Sequence, residues 1–119
     1  MKTLLPVIAT TILSFISAQT GNPLKNTEWE APNGLVIYFT KSDTVKLMMN
    51  DQLITAALYK VRDSFVIWRD FLKSDASCDT SIRGTYVYNI KDSLLSFRVI
   101  SDRCEERGNV IQTLVLSRK

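Results

Sequence analysis

From residue 27 onward the chain breaks into short runs of apolar and β-branched residues that recur about every ten positions, separated by Asn, Asp, Ser and Gly. The runs are 27–31, 35–40, 44–49, 53–62, 65–72, 83–90, 93–100 and 110–117. Their lengths are those of strands, and connections this short make sequential neighbours antiparallel. One stretch competes. The segment 45–59 is rich in helix formers, but alternation in its first half and "NDQ" at its centre point to a hairpin. No other segment carries a helical period. An eight-strand meander with one buried face per strand would leave two unpaired edges, and closing the sheet removes them. The expected fold is therefore all-β, an eight-stranded antiparallel up-and-down barrel, with a two-sheet sandwich as the alternative.

Parity of the hairpins assigns the buried faces. Joining 35–40 to 44–49 through 41–43 sets Phe39 opposite Val45, Ile37 opposite Leu47 and Leu35 opposite Met49. A turn at Lys91-Asp92 sets Tyr88 opposite Leu95, Tyr86 opposite Phe97 and Gly84 opposite Val99, with Arg98 outward. For 53–72, a two-residue turn at Asp63-Ser64 gathers Tyr59, Val61, Val66 and Trp68 on one face, while a three-residue loop would turn Phe65 and Ile67 inward. The last strand faces inward through Val110, Leu114 and Leu116, which places Gln112 inside as well. Phe39, Trp68, Tyr86, Tyr88, Phe97 and Gln112 are thus either the wall of a ligand pocket or the packed core.

The first residues give an address. Lys2 is followed by the apolar run 4–15 and the small-residue end "SFISA". Residues 1–18 have the pattern of a cleaved signal peptide, too short for a typical membrane span, with an uncleaved anchor as the alternative. Residues 19–119 then form one exported domain, periplasmic or extracellular, with no stable membrane span after cleavage. The 15 basic and 12 acidic residues leave a formal charge of +3 and form no dense block, which argues against nucleic acid. Histidine is absent, which removes His-based triads and ordinary zinc sites.

In the register of the 83–100 hairpin, Cys78 and Cys104 fall one residue from direct opposition beyond its open end. In an oxidising compartment a structural disulfide is the expectation, ahead of a metal or redox role. Closing a ring of about 27 residues stabilises a fold by about 3.5 kcal/mol in the chain-entropy model.

Around those cysteines, "C…RGTYVYNI…DSLLSFRVISDRCEER" resembles a pattern of secreted bacterial lipocalin-like proteins, carried here by Cys78, Gly84, Thr85, Tyr86, Leu95, Asp102, Cys104 and Arg107. "NTEWE" resembles the first-strand G-x-W of the wider lipocalin (calycin) group, with Trp29 as the tryptophan and Thr27 where that group has glycine. The resemblance implies an eight-stranded calyx for a small apolar molecule. It also implies a basic residue packed on Trp29 to close the barrel base, a part open to Arg107 or Arg118.

The leading functional expectation is an exported protein that binds a small hydrophobic or amphipathic ligand. The alternative is a protein-interaction or inhibitor module on a filled barrel, with its contacts in the loops 73–81 and 101–109. No enzyme motif, cofactor site or metal site stands out. Glu28 and Glu30 beside Trp29, and Asp70 and Arg69 beside Trp68, read as ordinary surface charges.

Overall fold

A computed structural model describes residues 21–72 and 77–119. The expected signal peptide and the first part of the 73–81 loop lie outside the described residues. The eight strands are β1 (Thr27–Glu30), β2 (Val36–Phe39), β3 (Thr44–Met49), β4 (Gln52–Arg62), β5 (Phe65–Asp70), β6 (Arg83–Lys91), β7 (Leu94–Asp102) and β8 (Val115–Arg118). They pair antiparallel in sequence order, and β1 pairs with β8 to close the barrel. This is the all-β up-and-down barrel expected from the strand spacing, not the sandwich. The 45–59 segment is the β3–β4 hairpin.

Turn chemistry sets the registers. Asn50-Asp51 and Asp92-Ser93 both hold two residues at positive φ, the type I′ geometry that suits two-residue hairpin loops. The β4–β5 turn is the two-residue one, so Tyr59 opposes Trp68 and Val61 opposes Val66. The β6–β7 turn lies one residue later than Lys91-Asp92. Tyr88 therefore faces Phe97, and Tyr86 faces Val99. Asp tolerates the left-handed region at the first turn position better than Lys does, which favours the later turn. A shift by one turn position moves each partner by two residues, so every side chain keeps its face.

A second correction is larger. The expected strand 110–117 begins instead as a helix, α1 (Glu105–Thr113), and only β8 remains of it. Val110 is 53% exposed, and Gln112 lies on the outer side of α1 and is exposed. Of the last strand's expected inward residues, Leu116 alone is fully buried on β8. Glu105 and Glu106 in the first turn favour a helix N-terminus. Arg107 and Ile111, four residues apart on one face, are the side chains that α1 buries.

The barrel centre is filled. Phe39 packs edge-on against Tyr59 at 5.1 Å and Trp68 at 6.2 Å between ring centroids. Val45, Val66, Tyr86, Leu95 and Leu116 complete a solvent-free core around them. Connections alternate between the two barrel ends. One end carries the lead-in to β1 and the turns 40–44, 63–64 and 92–93. The other carries the turns 31–35 and 50–51, the 71–82 connection and α1, and we call it the mouth.

Candidate functional site at the barrel mouth

Two β-bulges build the mouth. On β7, Tyr86 pairs with Val99 but Thr85 pairs with Ser101, leaving Ile100 as an extra residue. Strict alternation from Leu95, Phe97 and Val99 would send Asp102 outward. The extra residue reverses the parity and sets Asp102 inward, opposite Gly84. Gly84 has to be glycine for room: a Cβ there would strike Asp102 Oδ2 and lie 2.7 Å from the Tyr86 ring.

Asp102 then organises the residues around it. The Tyr86 hydroxyl donates to its Oδ2. Arg107 donates from Nε to Oδ2 at 2.7 Å and from Nη2 to Oδ1 at 2.9 Å, a bidentate pair. The Cys104 amide donates to Oδ1 at 2.9 Å, which fixes the start of α1. Arg107 Nη2 also donates to the Ile82 carbonyl at 3.0 Å. Burial alone would raise the Asp102 carboxyl. The hydrogen bonds from Arg107, Tyr86 and Cys104, with the guanidinium charge, outweigh it and hold the group below the usual carboxylate value. Burial and then the carboxylate it donates to push the Tyr86 hydroxyl well up, so it stays a donor.

Asp70, inward at the end of β5, ties the opposite wall to this cluster. It accepts from Trp68 Nε1 at 3.1 Å and from the Cys78 amide at 2.6 Å. Its Oδ1 lies 3.5 Å from Arg107 Nη1, an ion pair without a hydrogen bond. The disulfide Cys78–Cys104, with Cα atoms 6.2 Å apart, straps the 71–82 connection to α1. The clasp expected from the sequence is present. Its cysteines come together through the connection and the helix start, not through an extension of the hairpin ladder, because the register there differs.

Between this cluster and the filled core lies a cavity of about 320 Å³, at the small end of the usual range for ligand sites. Leu35, Leu47, Ile54, Trp68, Val110 and Ile111 supply its apolar wall. Ile54 is the extra residue of the second bulge, between the pairs Leu47–Thr55 and Met48–Leu53. Thr55, Asp70, Glu106 and Arg107 add polar groups, and the disulfide forms part of the lining. Among the described residues, Thr55 Oγ1 and Arg107 Nη1 are the buried side-chain polar atoms without a hydrogen-bond partner. Each such group costs about 1–3 kcal/mol when left unmatched. Both residues line the cavity, while these two atoms themselves are turned into the protein and expose almost no surface to it.

The residues singled out from sequence divide between core, mouth and surface. Phe39, Tyr86 and Phe97 are core, and Trp68 joins the core to the cavity wall. Tyr88 packs on the core, and its hydroxyl donates to the Asp63 carbonyl at 3.1 Å at the far end of the barrel. Gln112 is exposed and takes no part. Arg118, directly opposite Trp29, places its guanidinium 5.4 Å from the indole centroid. Arg107 is not on Trp29, since its pairing with Asp102 and Asp70 holds it at the mouth. Asp70, Asp102 and Thr55 were not expected in a site. Asp102 and Arg107 did share the D-x-C-x-x-R spacing. Thr55 was signalled only by its parity with Ala57 and Tyr59.

Among the described residues, no helix is long and apolar enough to cross a membrane, and no group of three or more acidic or cysteine side chains could hold a metal ion. Set against protein-family models, curated protein sequences and solved structures, the chain matches none of them, and what it shares with lipocalin-like proteins is the closed eight-stranded antiparallel barrel itself.

Proposed function

We propose that this is an exported, lipocalin-like carrier that binds one small, mostly apolar molecule in the mouth cavity. The observation that carries the reading is a mainly apolar cavity of about 320 Å³ at one end of an otherwise filled barrel. A filled scaffold has no use for such a space, whereas a small apolar ligand would cover Leu47, Ile54 and Ile111 in it. The apolar N-terminal run and the disulfide support export. A mature N-terminus near residue 19, read on protein recovered from the periplasm or medium, tests that part.

For binding, native mass spectrometry looks for a co-purified small molecule, and uptake of the neutral dye phenylnaphthylamine reports the apolar cavity. Wild type should brighten the dye. Ile54→Trp should fill the cavity and abolish the signal, and Leu53→Trp, on an exposed neighbour, should leave it unchanged. Protein that arrives empty and leaves the dye dark overturns the reading.

One observation favours the second reading, an interaction module. The core is filled, and Leu53, Phe71 and Val110 stand exposed around the mouth. If partner contact is the role, Phe71→Ser with Leu53→Ser, both outside the cavity lining, should release a captured envelope protein without altering dye uptake.

A further inference from the structure

We propose that the outer face of β4–β7 is a docking surface for an anionic lipid bilayer. The proposal is independent of what the mouth cavity holds.

The basic residues form no block in the sequence, but the strand registers gather them. Tyr59, Val66, Tyr86 and Phe97 face the core, so the residues that alternate with them face out. On β4–β7 those outward positions include Lys60, Arg62, Arg69, Arg83, Lys91 and Arg98. The carboxylates of these four strands are Asp70 and Asp102, and both turn inward to Arg107. The outward Glu28 and Glu30 lie on β1, across the ring from β5. Pairing sets the cations in rows. Arg69 stands directly opposite Arg83, with Leu58 on its other side. Two residues along, the row is Lys60, Ile67 and Thr85, and the next is Arg62, Phe65, Val87 and Arg98. Like charges directly opposite one another destabilise a sheet. Nothing inside the protein offsets the repulsion: among the described residues, the ion pairs all belong to Arg107. Leu58, Lys60, Arg62, Ile67, Arg69 and Arg83 line a groove on this face, and Asp43 is the one carboxylate in its lining. A surface that holds unpaired guanidinium groups together draws an anion from outside.

The apolar residues between the cations decide what carries the anion. Leu58 is 36% and Phe65 40% exposed, and Ile67 is half-buried beside them. A hydrated acidic polymer has nothing to cover these side chains. A bilayer offers phosphates at one depth and hydrocarbon just beneath, so the cations meet headgroups while Phe65 and Leu58 enter the boundary. Cations that no internal ion pair fixes also suit mobile headgroups better than the fixed carboxylates of an acidic protein.

The test is co-flotation of the purified protein with vesicles. Wild type should float with vesicles of equal parts phosphatidylglycerol and phosphatidylcholine and stay behind with phosphatidylcholine alone. About 0.5 M NaCl should release it. Arg69→Gln with Arg83→Gln should weaken binding about 25-fold, since each basic residue near such a surface contributes about five-fold. The same variant should hold or raise the melting temperature, because the opposed charges are gone. Lys46→Gln with Lys119→Gln removes equal charge from a separate groove that contains Glu28, and should weaken binding by less than about three-fold. Phe65→Ser should weaken it by about three-fold or more. Equal flotation with phosphatidylcholine alone, or none with either vesicle, overturns the proposal. So does a lysine pair that matters as much as the arginine pair, or Phe65→Ser with unchanged affinity. Protein that ignores the vesicles but is retained on immobilised polyglutamate through Arg69 and Arg83 assigns the face to an acidic protein instead, and the bilayer falls.

Discussion

The two ends of the barrel are closed by different physics. At the far end from the mouth, Leu24 is buried as a plug, and the chain just after it supplies the polar satisfaction. The Thr27 hydroxyl donates to the Leu24 carbonyl, and Trp29 Nε1 donates to that hydroxyl at 2.8 Å. Tyr59 donates to the Thr40 carbonyl at 2.9 Å across the same end. These are mostly short-range contacts around a large apolar residue. At the mouth the residues come from 70, 78, 84, 86, 102, 104 and 107, and the central interaction is a buried ion pair. The plugged end is complete in itself. The mouth retains unmatched donors and free volume. The apolar core runs the length of the barrel, and its mouth-side members Leu35, Trp68 and Ile111 double as cavity wall.

The largest effects should come from breaking either end, and they should differ in whether they can be repaired. Trp29→Ala removes a buried indole with a guanidinium over it and should cost about 3–5 kcal/mol in urea unfolding. Arg107→Met should cost a similar amount, about 3–5 kcal/mol, by leaving the Asp102 carboxylate buried without its partner. Adding Asp102→Asn to Arg107→Met should recover a good part of that loss, because the stranded charge goes with it. No single polar change should rescue Trp29→Ala. Equal recovery at both ends, or none at the mouth, would end the distinction.

Replacing Cys78 and Cys104 with Ala should lower stability by about 3.5 kcal/mol, the loop-entropy value for the ring they close. Dye uptake should fall with it, since the strap is part of the cavity lining, while the Tyr59 and Trp29 contacts of the plugged end persist. Tryptophan fluorescence and dye titration on the reduced and double-Ala proteins measure the two separately.

Acid should act on one end only. The Asp102 carboxyl titrates below its unfolded value, so its stabilisation is complete above about pH 4–5 and is lost as pH falls through the lower folded value. Stability measured over that acid range should decline in wild type. In Asp102→Asn the decline should be shallower from a lower starting point, and in Trp29→Ala it should keep the wild-type slope. The smallest effect belongs to Gln112→Leu. On an exposed helix face it should change stability by no more than about 0.5 kcal/mol and leave ligand affinity untouched.

The same division separates what could be read in the chain from what could not. Strand order, barrel closure and inward faces follow from alternation and turn residues. Face assignment even survives an error in the turn: placing it at Lys91-Asp92 instead of Asp92-Ser93 leaves Tyr86, Tyr88 and Phe97 inward. The helix at 105–113 is hidden because Gly108, Asn109, Val110, Ile111 and Thr113 all lack strong helix propensity, and α1 buries only Arg107, Gly108 and Ile111. It is held by Asp102 and the disulfide, contacts that exist only once the sheet has closed. The cavity's polar floor is hidden for a related reason. Bulges move Asp102 and Ile54 out of the alternation that makes strands legible, and Thr55 looks like any other residue of a β-branched run.

The Ile100 bulge has a consequence for how this protein can change. Ile100 is 47% exposed and its side chain takes no part in the polar cluster, so many residue types should serve there about equally well. Removing the position altogether is another matter. A one-residue deletion anywhere between Val99 and Asp102 would turn the carboxylate to the outside and strand Arg107, although every residue that touches the cavity would still be in the chain. The mouth is therefore robust to spelling and fragile to counting. Drift in length, more than drift in sequence, is what would dismantle the buried polar cluster at this end of the barrel.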